Sequence, residues 1–294
     1  MEIRCVGVMS PGDMGQAVAA QIKTKGLRVV AALDGRSERS RALARAAGLE
    51  DVGTLERMVA ECDVILSIMN PAAAEDFAGT AAMAIAQSAR KPLFVDCNAV
   101  SPATVQAMAR EIAAAGGTLV DGGIIGPPPR GTAKPRLYVS GQDAARLTAL
   151  ETPQLIVRVV GERVGEASAL KMCYGAMTKG ATALALELLI AARHLGVEEA
   201  LERELLDTRR EVYEWIIGAL PVMPPKAYRW VPEMEQEAAT FAEIGMTPRI
   251  LQGAADMYAF VADTPLGRET PENRDRSRTG RDVVRELADA LKRA

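Results

Sequence analysis

The stretch RCVGVMSPGDMGQAVAAQIKTKGLRVVAALDGRS, residues 4–37, decides the fold. An apolar run (IRCVGVM, residues 3–9) has the composition of a buried strand. A loop with Pro11, Gly12 and Gly15 follows, then a helical stretch over residues 14–25. A second strand-like run, RVVAAL, ends in Asp34-Gly35-Arg36-Ser37. Strand, glycine turn and helix in that order form a cradle for a dinucleotide. N–H groups at the helix start face the pyrophosphate, and small residues let the two backbones approach. In G-x-G-x-x-G register Ser10 replaces the first glycine, and Gly12 and Gly15 fill the other two places. The expected phosphate contacts are Ser10, Pro11, Gly12, Asp13 and Met14. At the end of the second strand an acidic residue commonly holds the adenosine ribose, whereas an arginine pairs with a 2′-phosphate. Asp34 and Arg36 offer both. The guanidinium, hydroxyl and open backbone of Gly35, Arg36 and Ser37 favour NADP over NAD.

The remaining composition narrows the classes. The chain has 294 residues, enough for two domains, and a formal net charge of −3, so no basic field draws nucleic acid or anionic lipid. Four scattered cysteines form no Cys-x-x-Cys pair and read as reduced, in keeping with a cytoplasmic protein without a disulfide framework or zinc site. A single histidine, His194, excludes multi-histidine metal sites and Ser-His-Asp chemistry built on any other histidine; its own place suits a helix end. No signal peptide is expected. The apolar stretch 180–192 carries Glu187 and is too short to span a bilayer, so no membrane partner is expected.

Up to about residue 160, strand-like runs at 3–9, 28–33, 63–69, 92–97 and 117–123 alternate with helical ones at 14–25, 37–47, 54–62, 72–87 and 103–115. Such alternation predicts a doubly wound parallel sheet, a Rossmann domain over residues 1–162. Further strands are expected at 136–141 and 155–161. Residues 163–294 read as all-helical, with helices at 166–194, 198–220, 232–244 and 248–262. A polar linker then leads to a short amphipathic helix with Val283, Val284, Leu287 and Leu291 on one face. Glycines 175 and 180 weaken the first of these helices locally. On it, Ser168, Lys171, Tyr174, Gly175 and Thr178 share one face. A lysine in such apolar surroundings is either a snorkelling surface group or a desolvated one aimed into a cleft.

The motifs GVMSPGDMG (7–15), DVILSIMNP (63–71), VDCNAVSPATVQAMA (95–109) with GGTLVDGGIIGPPPRGTA (116–133), and VGEASALKMCYGAMTKG (164–180) occur in this order. Together they resemble the 3-hydroxyacid dehydrogenase and 6-phosphogluconate dehydrogenase superfamily. The helical half resembles its branch with a poorly characterised C-terminal domain. The resemblance implies a catalytic lysine on the long helix, at Lys171. It implies substrate contacts at Asn98, where the family has a serine, and at Gly126, in a turn that holds a carboxylate. Met69, Asn70 and Pro71, with Asn98, would line the nicotinamide side.

Two departures stand out. IIGPPP replaces the Ser-Gly-Gly turn, so Pro127 removes a donor. Gly175 occupies the place of a substrate-binding asparagine, leaving a bulkier substrate, Tyr174 or Lys179 to make that contact. The resemblance further implies a homodimer through the helical domain. The reading is an NADP-dependent oxidoreductase acting on a β-hydroxy acid or hydroxy amino acid. An imine reductase on the same scaffold and a non-catalytic NADP-binding sensor are the alternatives.

Overall fold

The computed structural model describes residues 2–291. Eight strands form one sheet: β1 Cys5–Met9, β2 Arg28–Ala31, β3 Glu50–Asp51, β4 Val64–Ser67, β5 Leu93–Asp96, β6 Thr118–Ile125, β7 Arg136–Ser140 and β8 Ile156–Gly161. Their order is β3-β2-β1-β4-β5-β6-β7-β8, all neighbours parallel except β6 with β7. Helices α1 Asp13–Lys23, α2 Glu38–Ala46, α3 Leu55–Glu61, α4 Ala74–Gln87 and α5 Pro102–Ala114 connect the first six strands. This is a Rossmann sheet with β7 and β8 added at one edge.

Period-two alternation explains the continuous apolar runs. Val6, Val8, Leu66 and Val95 enter one core layer, while Cys5, Met9, Ile65 and Phe94 enter the layer on the opposite face. Both faces are covered, so neither parity is polar. Local signals set several helix starts. Ser37, Thr54 and Ser101 each accept a backbone N–H from the first turn of the helix that follows. The two-residue strand β3 is too short to leave a periodic pattern and was not expected from the sequence.

The chain divides into two compact units, Met1–Met172 and Cys173–Ala294. The division falls further along than the change of composition near residue 162. The reason is that the first turns of the next helix are tied to the sheet. There the buried Asp121 accepts the N–H groups of Gly165 and Ser168, at 2.9 and 3.0 Å, and the Ser168 hydroxyl at 2.6 Å. This helix runs as α6 Glu166–Gly175, a π-helical turn Ala176–Gly180 and α7 Ala181–His194. The wide turn follows Gly175 and ends on Gly180, the two glycines that weaken the segment. By length and composition alone, these 29 residues could cross a membrane. Here Ala183, Leu186, Leu189 and Ile190 instead form part of a helical core with Tyr213, Met234, Tyr258 and Leu287.

The helical unit continues with α8 Glu198–Thr208, α9 Arg210–Ala219, α10 Ala227–Glu243, α11 Arg249–Asp263 and α12 Gly280–Leu291. Three local expectations are corrected. The helix expected over 198–220 breaks at Arg209, whose ψ of 36° is not helical. Helix α10 begins at Ala227, so Pro232, where the helix was expected to start, lies inside it. The proline withholds its N–H from the carbonyl of Tyr228, an exposed first-turn residue where water can substitute. On α12, Val283, Val284 and Leu287 are buried as expected, but Leu291 is exposed.

Candidate active site

In a doubly wound sheet, ligands sit beyond the carboxyl ends of the strands where the order reverses. Here that point lies between β1 and β4. The loops leaving these strands are joined: Ser10 N–H donates to Ile68 O at 3.0 Å, and Ile68 N–H donates to Met9 O. The expected cofactor residues Ser10–Met14 and Met69–Pro71 are thus brought to one edge.

Within the first loop the two glycines have different reasons. A Cβ on Gly15 would lie 2.1 Å from the carbonyl oxygen of Ser10, so close backbone approach demands glycine. A Cβ on Gly12 would meet nothing within 4 Å. Gly12 is also the N-cap of α1 and has no side chain to cap it, so it leaves an open cradle at a helix N-terminus. These are the requirements of a pyrophosphate: space, free first-turn N–H groups and the positive end of a helix dipole. Pro11 is buried, and Met14 packs against the core. Asp13 is paired with Arg130 at 2.8 Å, and Arg130 also donates to the Asp13 carbonyl at 3.0 Å. The loop after β6 is thereby pinned to the start of α1, and the acidic side chain is neutralised.

At the end of β2, Gly35 has φ +71°, a conformation favouring glycine. Arg36 is half-buried, and its Nε has no hydrogen-bond partner. A buried guanidinium N–H without an acceptor is suited to an anion. Ser37 accepts the Ser40 N–H at 3.3 Å and lies 3.2 Å from the Ser40 hydroxyl, so it also caps α2. Asp34 is exposed.

A polar rung crosses the sheet one step below these loops. Met9, Ser67, Asp96, Asp121 and Ser140 are in-register partners on successive strands. Ser67, Asp96, Asp121 and Ser140 are all fully buried. Above the rung, Lys171 donates to the carbonyl of Cys97 at 3.1 Å. Its stem lies on Gly123, where a Cβ would approach the Lys171 Cβ and Cδ at 3.3 Å. The VDGG motif thus supplies both the anchor for α6, at Asp121, and the flat patch that the lysine crosses. Neither role was assigned from the sequence, although the motif itself was visible. Burial pushes Asp96 up to about 6, against the opposing pull of the Asn98 hydrogen bonds and the Lys171 charge.

Asn98 is more committed than the sequence indicated. Its amide hydrogens go to Asp96 Oδ1 at 2.6 Å and Ser67 Oγ at 2.8 Å. Its oxygen accepts the Met69 N–H at 2.6 Å. Asn98 therefore clamps the loop after β4, leaving one oxygen lone pair for any further contact. Asn70 caps the following 3₁₀ turn, accepting from Ala72 N–H at 3.2 Å, with Pro71 at its start. Gly126 has φ +118°, and a Cβ there would press on Pro135.

Other expected residues lie in the helical unit. Tyr174 is exposed. Gly175 opens no vacant space: a Cβ there would stand 2.0 Å from Glu237 Oε1. Lys179 is paired with Glu233 and lies 3.6 Å from the fully buried Glu237. Burial would lower Lys179, but the two carboxylates outweigh it and hold the ammonium above the ordinary lysine value. Tyr258 donates to the Lys179 carbonyl at 2.7 Å and stacks edge-on against Trp230. The carboxylates were visible in the sequence, but not their convergence on Lys179. Among the described residues, no His, Cys, Asp and Glu side chains group as a metal site.

The family profile for the NAD-binding domain of 6-phosphogluconate dehydrogenase matches residues 5–162. The chain belongs to this family. A second profile, a domain of unknown function, matches residues 192–261 in the helical unit. A 28.5 kDa protein of Methanothermus fervidus, from the 7S RNA 5′ region, is 31% identical over 67% of this chain and 74% of its own length. One solved structure, a conserved protein described as structurally similar to 3-hydroxyacid dehydrogenases, is 30% identical with a TM-score of 0.68. That match covers 88% of this chain and 97% of the other. The 3-hydroxyisobutyrate dehydrogenase of Mycobacterium tuberculosis shares the fold at 16% identity and a TM-score of 0.73, over 99% and 100% of the two chains. The chain shares its fold with this dehydrogenase, and an imine reductase of Myxococcus stipitatus shares it too, at 19% identity and a TM-score of 0.57.

Proposed function

We propose that the chain is an NADP-dependent oxidoreductase that moves a hydride between nicotinamide and a β-hydroxy acid or hydroxy amino acid. One observation carries the reading. Lys171 is held by the Cys97 carbonyl beyond the end of β5, the next strand to the one whose loop adjoins the Gly12 cradle. The cofactor, when bound, supplies or accepts the hydride. The Ser10–Met14 turn would hold the pyrophosphate through the open N–H groups at the start of α1, and Arg36 would meet the 2′-phosphate, with Gly35 and Ser37 beside it. Met69, Asn70 and Pro71 form the wall on the nicotinamide side, held by Asn98.

Lys171 takes the hydroxyl proton during oxidation and returns one to the carbonyl oxygen during reduction. It serves as the base in its neutral form and as the acid in its ammonium form. The Gly126 turn and Tyr174 are the proposed substrate contacts. Within the helical unit, Gly175 and Lys179 shape the surroundings of Tyr174 through Glu237 and Glu233. A homodimer through the helical unit, in which exposed Met177, Leu184 and Ile250 are covered, and a cytoplasmic location complete the reading.

The test is a panel of β-hydroxy acids and hydroxy amino acids with NADP or NAD, followed by absorbance of the reduced nicotinamide. The expected result is turnover that Lys171→Met lowers by about 10²–10⁴-fold with cofactor binding intact. Arg36→Ala should raise the KM for NADP far more than for NAD; equal effects would refute the 2′-phosphate assignment. Cofactor binding with no turnover on any substrate, indifferent to Lys171, would instead identify a sensor. Turnover confined to cyclic imines would favour the reductase of C=N bonds.

A further inference from the structure

Asp96 is fully buried between two groups that the proposed reaction uses. On one side it accepts both the Asn98 backbone N–H, at 3.2 Å, and an Asn98 carboxamide hydrogen, at 2.6 Å. That carboxamide has its oxygen on the Met69 N–H. On the other side Lys171 of α6 donates to the carbonyl of Cys97, the residue that follows Asp96, at 3.1 Å, and its charge favours the ionised carboxylate. The remaining titratable groups facing it are Asp121 of β6, its in-register neighbour, and Cys97 of its own loop. Asp121 is saturated by four donors from Ser140, Gly165 and Ser168. Asp96 has fewer partners and is the carboxylate coupled to both arms.

We propose that Asp96 is the positioning residue of this site, orienting the loop after β4 through Asn98 and acting as counter-charge to the Lys171 ammonium. The proposal rests on reading Lys171 as the acid/base, and it adds a control on that group. With Asp96 ionised, the ammonium form of Lys171 is favoured. When Asp96 gains a proton, that support is withdrawn and its grip on Asn98 changes. The loop wall and the lysine charge then respond to one buried proton.

The experiment uses the full chain with lysine Cε labelled by ¹³C and followed by NMR across pH, with and without NADP. The Lys171 resonance is the one lost in Lys171→Met. In the wild type it should show a first inflection near pH 6, from Asp96, before its own titration. In Asp96→Asn that inflection should vanish, and the lysine midpoint should fall by about one pH unit. Asp63→Asn is the control. It removes another buried carboxylate, one that holds the Arg4 and Cys5 N–H groups where β1 begins, and it should leave Lys171 unmoved. An inflection that survives in Asp96→Asn, or a lysine midpoint the same in both proteins, would overturn the proposal. Should Asp96→Asn fail to fold, the wild-type curve decides by itself, since absence of the pH 6 step is fatal. A coupled Lys171 titration in a protein inactive on every substrate would leave the positioning role standing and sink the dehydrogenase reading.

Discussion

The side-chain oxygen of Asn98 accepts the backbone N–H of Met69 at 2.6 Å, binding the end of one strand to the loop after its neighbour. The residue expected to touch substrate is therefore first a strut of the loop after β4. Asn98→Ala would leave the Met69 N–H without its acceptor, and the Ser67 hydroxyl and Asp96 carboxylate without the carboxamide. A loss of about 1–3 kcal/mol per unsatisfied buried group follows. The check is a thermal melt together with fluorescence titration of NADPH. An unchanged Tm with unchanged affinity would contradict the strut.

The glycines of the first loop should separate folding from binding. Gly15→Ala forces a Cβ against the Ser10 carbonyl and is expected to destabilise by about 1–3 kcal/mol. Gly12→Ala meets no protein atom, so its Tm should match the wild type while NADPH affinity drops at least ~10-fold. Calorimetry and equilibrium titration on the two variants measure both effects. Equal Tm losses would mean that Gly12 is a folding requirement and not a cradle.

Gly175 and Glu237 should behave as a coupled pair. The carboxylate fills the space that any side chain at 175 would need, and the buried surroundings give it nowhere to move. Gly175→Ala is expected to be costly in the native chain and much cheaper in an Glu237→Ala background. A coupling of about 0.5–3 kcal/mol in a denaturant double-mutant cycle is the expected result. Additive changes would show that the glycine is there for another reason.

Stability should carry the signature of Asp96. Its folded value of about 6 lies above the ~3.9 of an unfolded aspartate. Between these values the folded state keeps a proton that the unfolded state releases, so this contribution falls as pH rises through the window. Relative to Asp96→Asn, the wild type should therefore lose ground between about pH 4 and pH 6 and hold level above it. Melts of both proteins at several pH values test this, and a constant difference across the window would rule it out.

The sequence by itself determined the strand–helix alternation, the glycine turn after the first strand, the helical second half and the lysine helix. Each of those is written in neighbouring residues: apolar runs of strand length, caps such as Ser101-Pro102, and glycines at a strand end. The family motifs added Lys171 in the same local way. Only the tertiary structure decided what Asn98, Gly175, Asp121 and Asp96 do, because their partners lie on other elements. Asn98 reaches Met69 and Ser67, Gly175 reaches Glu237, and Asp121 reaches Ser168. A buried polar group must find a partner, but its own sequence does not say which strand brings that partner into register. The start of α10 shows the same limit: a proline read as a beginning sits inside the helix, because packing and an exposed first turn outweigh the local rule.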